Sequence, residues 1–350
     1  MFFSFSWILG TSEWMPFESS PIDCFFQGLV GACGISVLCN LMRVHLFIQT
    51  CSDSDSENES KQRSSWTGRL LRERWRTAFL FWSLTALLSL VGSRVSSLIV
   101  LEFSLRAVSA WATAGLDVSG RGPQLLLIQC QFSLGCALTC ILVFLQQGAL
   151  HSSLSLLMAA GLSWALAGIC QQLWSHVARL YPLHSTERYC GKCITLLTSG
   201  HTILASLQRV VVLAFAIATV ASTATVYDHF LSQKDALKFW TPLTLCYAML
   251  VVYIQEEQLR QTGAEALLHS VVLRLGALLV LMLTVGYWSD VLHVLITFLG
   301  EAVCLLNSRD LQQAMLKEEE EDTSPSKPEL ASSSSHITRG STATTSSDGS

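Results

Sequence analysis

Val91–Trp111, VGSRVSSLIVLEFSLRAVSAW, is the stretch on which the fold turns. It is apolar enough to sit in lipid, yet it holds Arg94, Glu102 and Arg106. An ionised side chain at membrane depth costs about 2.5–3.5 kcal/mol on insertion, so such groups face a protein interior or a wet cavity. Something must surround this segment, and the rest of the chain is composed to do so. Of 350 residues, 51% are hydrophobic and only 14% are charged, whereas soluble domains carry about 25% charged residues. The mean hydropathy is +0.44 even though the chain after Leu316 is very polar. Apolar runs of about 20 residues recur, each long enough to cross a hydrocarbon core of about 30 Å. They are continuous rather than alternating, which argues against a transmembrane β-barrel. The class is all-α: a polytopic transmembrane helix bundle in a lipid bilayer, with plasma membrane and endomembrane not distinguished.

Working outward, the apolar block around this stretch covers residues 77–115. One straight helix of that length would measure about 60 Å at about 1.5 Å per residue, so it must break or leave the membrane. Gly92-Ser93-Arg94 is the expected break. The other expected spans are 22–48, 124–146, 152–174, 202–227, 236–254, 267–288 and 291–306. Gly28, Gly31 and Gly34 share one side of the first, and Ala214, Ala218 and Ser222 repeat along the fifth. Small residues at such spacing let helices approach closely. Thr241-Pro242 caps or kinks the 236–254 span, and Trp174 and Tyr181 suit a headgroup belt. About eight spans are expected, within a range of seven to nine. If 77–115 crosses once there are eight; if twice, nine. The ionised groups at Glu102 and Arg106 favour eight, and the basic loop at 179–192 favours nine.

Charge sets the expected orientation. Residues 1–42 contain no Lys or Arg, whereas the loop at 50–76 carries Lys61, Arg63, Arg69, Arg72, Arg74 and Arg76. By the positive-inside rule the loop is cytoplasmic and segment 1–21 is not. The N-terminal MFFSFSWILGTSEW lacks a basic n-region and does not read as a cleaved signal peptide. Ser52, Ser54 and Ser56 each precede an acidic residue by three positions, a pattern suited to acidophilic kinases. Phosphates there would add about two charges each beside a basic juxtamembrane helix; the plain alternative is an unmodified solvated loop. Asn58-Glu59-Ser60 is a glycosylation sequon that should stay bare in the cytoplasm. The bundle is read as 22–310, followed by an acidic then Ser/Thr-rich tail, 311–350, too polar to bury a core.

Seven ionisable groups fall at membrane depth: Arg94, Glu102, Arg106, Arg209, Arg274, Asp290 and Glu301. Glu102 and Arg106 are four apart and share a helix face, so they can neutralise each other. Glu301 has no basic neighbour in sequence, and a partner from another helix, Arg274 or Arg209, is expected. Arg209 and Arg274 lie close enough to span ends to snorkel instead. These groups either fix how helices dock or line a solute or ion route. Cysteine labelling at Ser104 or Val108 would test water access near Glu102. Cys190-Gly191-Lys192-Cys193, with His184 and His201, is a weak redox or metal motif; its spacing matches no standard zinc site, and two ordinary thiols are the plain reading. No metal site is assigned and the cofactors are unknown. Most of the twelve Cys lie in apolar runs and behave as small hydrophobes. Cys51, just past the first span, is a weak palmitoylation candidate. Metalloprotease, nucleophile-elbow and P-loop motifs are absent, which leans against an enzyme. No basic domain points to nucleic acid.

Several segments resemble the vertebrate transmembrane protein 82 family: Val91–Ser109, Gln129–Cys140 (QCQFSLGCALTC), Arg188–Cys193 (RYCGKC), Phe239–Gln258 (FWTPLTLCYAMLVVYIQEEQ) and Leu283–Trp288 (LTVGYW). The likeness runs from about Ile22 to Leu306. It implies a multi-pass membrane protein and carries over no catalytic or ligand residues. The residues themselves leave three functions open. The first is small-solute or ion translocation along the polar cluster. The second is a scaffold or accessory subunit binding membrane-protein partners or a homo-oligomer. The third is an intramembrane enzyme or redox protein at the CxxC.

Overall fold

The computed structural model describes residues 20–53, 59–113, 126–146, 152–180, 191–230, 264–285 and 288–311. The expected 236–254 span and the tail beyond residue 311 lie outside them. Seven helices carry the described chain, and no strand occurs among these residues. They are α1 (Pro21–Asp53), α2 (Glu59–Thr113), α3 (Gln131–Gln146), α4 (Ser152–Leu180), α5 (Gly191–Phe230), α6 (Ala264–Val285) and α7 (Trp288–Asn307). Five contain stretches long and apolar enough to cross a membrane: Pro21–Gln49, Trp75–Ser109, Ser153–Ala178, Thr202–Val226 and Trp288–Asn307. Gln131–Gln146 and Leu268–Leu283 are shorter apolar helices. A turn of helix at 126–129 extends α3, because Cys130 N–H donates to Leu126 O and Leu134 N–H to Cys130 O.

Helix α1 is the hub, and its glycines explain why. A Cβ on Gly28 would lie 2.6 Å from Thr85 O and 2.8 Å from Ser89 N of α2. One on Gly31 would lie 3.0 Å from the Gly135 carbonyl oxygen of α3. Backbones this close need a missing side chain on at least one of them. The core continues through Ile35, Leu38, Leu88, Val95, Ile99, Phe132 and Leu278, all buried.

Helix α2 does not run straight. Gly92 has φ 72 and ψ 159, a region open essentially to glycine alone. Leu88, before the bend, meets Gly31 and Gly135. Ser97, after it, lies 3.6 Å from Cys140, beside the Thr139 that also contacts Gly31. Two points nine residues apart on α2 therefore sit at one level of α1. The second limb then climbs, reaching Gln129 at Arg106.

Contacts also fix the helix directions. Gln27 meets Gln146 and Cys39 meets Gln131, so α3 runs against α1. Leu29 and Val30 pack with Ala160, and Val44 and Ile48 with Trp174 and Val177, so α4 runs with it. Ile203 lies near Val44 whereas Ser222 lies near Cys140, so α5 runs against it. Arg94 and Asp290 meet at one end of the α2–α7 contact, and Arg43 and Asp310 close the other side of α7, so α7 runs with α1 and with the second limb of α2. Trp174 is buried edge-on against Phe47, 6.0 Å between rings, rather than facing a headgroup belt: α1 offers it an aromatic partner. Leu157, Leu162, Leu166 and Ile169 of α4, and Val210, Leu213, Ile217 and Val220 of α5, form outward apolar faces. Such bands belong in lipid, and the chain is an integral multi-pass membrane protein.

Candidate functional site

The α2–α7 contact is polar along its length. On α7 the buried side carries Asp290, Thr297 and Glu301 at steps of seven and four, which is one helix face. On α2 the facing side carries Arg94 near the bend and Glu102 and Arg106 further along, the last two buried. Helix α6 adds Arg274, the largest fully buried side chain described.

Arg274 is the centre. Its Nη1 donates to Glu102 Oε2 at 3.1 Å and its Nη2 to Glu301 Oε1 at 2.9 Å. One guanidinium thus bridges two carboxylates on two other helices, the geometry for which its planar fork is suited. Arg106 Nε stands 3.7 Å from Glu102 Oε1, and its Nη1 donates to Gln129 Oε1 at 2.7 Å. Its guanidinium also lies over the Phe103 ring, 5.0 Å from the centroid. Two cations and two anions cancel, which is what allows them to be buried together. Beside them is a gap of about 10 Å³, the room of about one water, lined by Arg106, Gln129, Ser270, Arg274, Glu301 and Cys304 among others.

The other candidates divide. Arg94 and Asp290 approach to 3.9 Å near the bend at Gly92; Arg94 is partly exposed and Asp290 is buried in the first turn of α7, where the helix dipole favours a carboxylate. Arg274 does not snorkel and is the group that reaches Glu301. Arg209 is exposed on α5 and joins neither cluster. Ser104 bonds Thr219 of α5 at 2.9 Å and Val108 is exposed, so both point away from the seam. The side chains of Cys190, Cys193, His184 and His201, and of Ser52, Ser54 and Ser56, lie outside the described residues. Among the described residues no group of three His, Cys, Asp or Glu could hold a metal.

Sequence reading did not single out Gln129 and Ser270 at the gap, nor Thr297 on the buried face of α7. The spacing Asp290–Thr297–Glu301 was the available signal: a polar set on one face of an otherwise apolar helix. Nothing local marked Gln129, whose role depends on Arg106 being opposite it.

Helices that present apolar faces outward and seal an ion network inward define a polytopic α-helical membrane protein. A family model described as transmembrane protein 82 matches residues 22–326, and the chain belongs to that family. No solved structure matches the chain.

Proposed function

We propose that the chain translocates a small solute or ion along the seam between α2 and α7, and that this structure is its occluded form. The observation that carries the reading is the continuity of buried polar groups. Arg94 and Asp290 stand at one end, Thr297 in the middle, and the Glu102–Arg274–Glu301 bridge with Arg106 toward the other. Buried ionisable groups on facing helices are the usual lining of such routes. The gap beside Arg106 reaches Ser270 and Leu305, near the start of α6 and the end of α7, the end where Arg43 binds Asp310.

The helix directions support nine crossings rather than eight. Helix α2 starts on the face where α1 ends and its second limb returns there, so its two limbs count as two. Phe230 and Ala264 close on opposite faces, which the expected 236–254 span would join. The ends of α1, α4 and α7 share one face, so the basic segments 50–76 and 179–192 and the tail fall together, on the cytoplasmic side by the positive-inside rule. A tag appended after Ser350 should be reached by antibody only after permeabilisation; staining of intact cells would reverse this orientation.

A scaffold or accessory subunit is the second reading. Its support is the charge balance of the cluster and the smallness of the gap, both of which suit a clamp between helices. Thiol labelling separates the two. With the native cysteines replaced by alanine, Ser270→Cys should react with a membrane-impermeant reagent and Thr297→Cys should react when flux is running. Protection at both positions, with no ion flux in reconstituted vesicles, would leave the clamp.

A further inference from the structure

We propose that the gap beside Arg106 is a binding site for one small anion, a halide or a single oxygen of an oxyanion, taken up together with one proton on Glu301. The inference deepens the translocation reading and rests on it for its purpose, but not for its chemistry.

Arg106 is more than nine-tenths buried, and its Nε and Nη2 have no hydrogen-bond acceptor. Burying donors without acceptors is costly, and native interiors fill such places. Nη1 is taken by Gln129, and the Glu102 oxygen at 3.7 Å is beyond hydrogen-bond range of Nε. Arg106 lines the gap, and an acceptor seated there within reach of Nε or Nη2 would meet unused donors. The room suits one atom about the size of water.

Charge then decides the coupling. Glu102, Glu301, Arg106 and Arg274 sum to zero, so a bare anion would leave one net negative charge at membrane depth. A proton restores the balance. Glu301 borders the gap, whereas Glu102 does not. When ionised, Glu301 can only accept and repels an anion; when protonated, it becomes a donor on a residue that lines the same space. Arg274 stays bound to Glu102 meanwhile. The groups facing Glu301 are Glu102 and Arg106 from α2, Arg274 from α6, and the thiols Cys130, Cys136 and Cys304. The thiols are weak acids, which leaves the carboxylates to take the proton.

Equilibrium binding of radiolabelled chloride to the full-length protein in detergent, with gluconate holding ionic strength, tests this. Chloride should bind with a dissociation constant that falls about tenfold per pH unit on acidification, the slope for one linked proton. Arg106→Gln should abolish binding. Arg106→Lys keeps the charge but loses the fork, and should weaken binding at least about tenfold. Glu301→Gln, a neutral donor, should bind with no pH dependence. Absence of chloride binding in the unmodified protein at every pH, or unchanged binding in either folded Arg106 variant, would overturn the site. Binding without any chloride flux in vesicles would keep the site and remove the translocation reading.

Discussion

The two ion clusters on the α2–α7 seam contain the same kinds of residue and are built differently. Around Arg274 the contacts are 2.9 and 3.1 Å, three helices contribute, and every member is buried. At Arg94–Asp290 the separation is 3.9 Å, two helices contribute, and the arginine is partly exposed. The first should fix how α2, α6 and α7 dock; the second should yield. The difference shows that the worth of a buried charge lies in how many elements it ties together and how dry it is. Both lie on the second limb of α2, so the bend at Gly92 sets the height of each.

The sharpest way to break this contrast is to remove its centre. Arg274→Ala strands Glu301 in the core and leaves Glu102 with Arg106 alone, and should cost about 3–5 kcal/mol. It should be seen as loss of the monodisperse peak on gel filtration in detergent. Arg274→Met combined with Glu301→Gln, which leaves Glu102 balanced by Arg106, should recover most of that loss. Gly92→Ala comes next, at about 1–3 kcal/mol, because φ 72 with ψ 159 excludes other residues. The added methyl would only touch His293, at 3.5 Å, so the penalty is in the backbone and not in crowding. Thermal melting of the purified variant measures it.

Glu301→Gln should be milder, about 1–2 kcal/mol, since Arg274 keeps Glu102 and the amide oxygen still accepts. Equal, small losses from Glu301→Gln and Arg274→Ala would count against the bridge. Arg94→Gln should cost the least, under about 1 kcal/mol, and the effect should shrink further with added salt. A loss at Arg94 matching that at Arg274 would erase the distinction between the two clusters.

Much of this was legible along the chain. The run at residues 77–115 is too long to cross unbroken, and Gly92 is where helical geometry fails. The glycines at 28, 31 and 34 mark the side of α1 that others approach. Ala218 and Ser222 of α5 are fully buried, as small residues on a packing face should be. Trp174 could not be read correctly, because an aromatic ring near a span end suits a headgroup belt and a neighbouring Phe47 equally well. The span count was likewise open, since hydropathy records length and not direction.

By itself the sequence determined the solvent: continuous apolar runs with few charges can satisfy their backbone only as helices in lipid. It also determined that ionised groups buried at that depth must meet one another, whereas Arg209, exposed on α5, joins neither cluster. Which ones meet was a tertiary matter. Arg274 is 172 residues from Glu102 and 27 from Glu301. Local spacing reaches only a turn or two along a helix, so the bridge had to await the packing of α6 against α2 and α7.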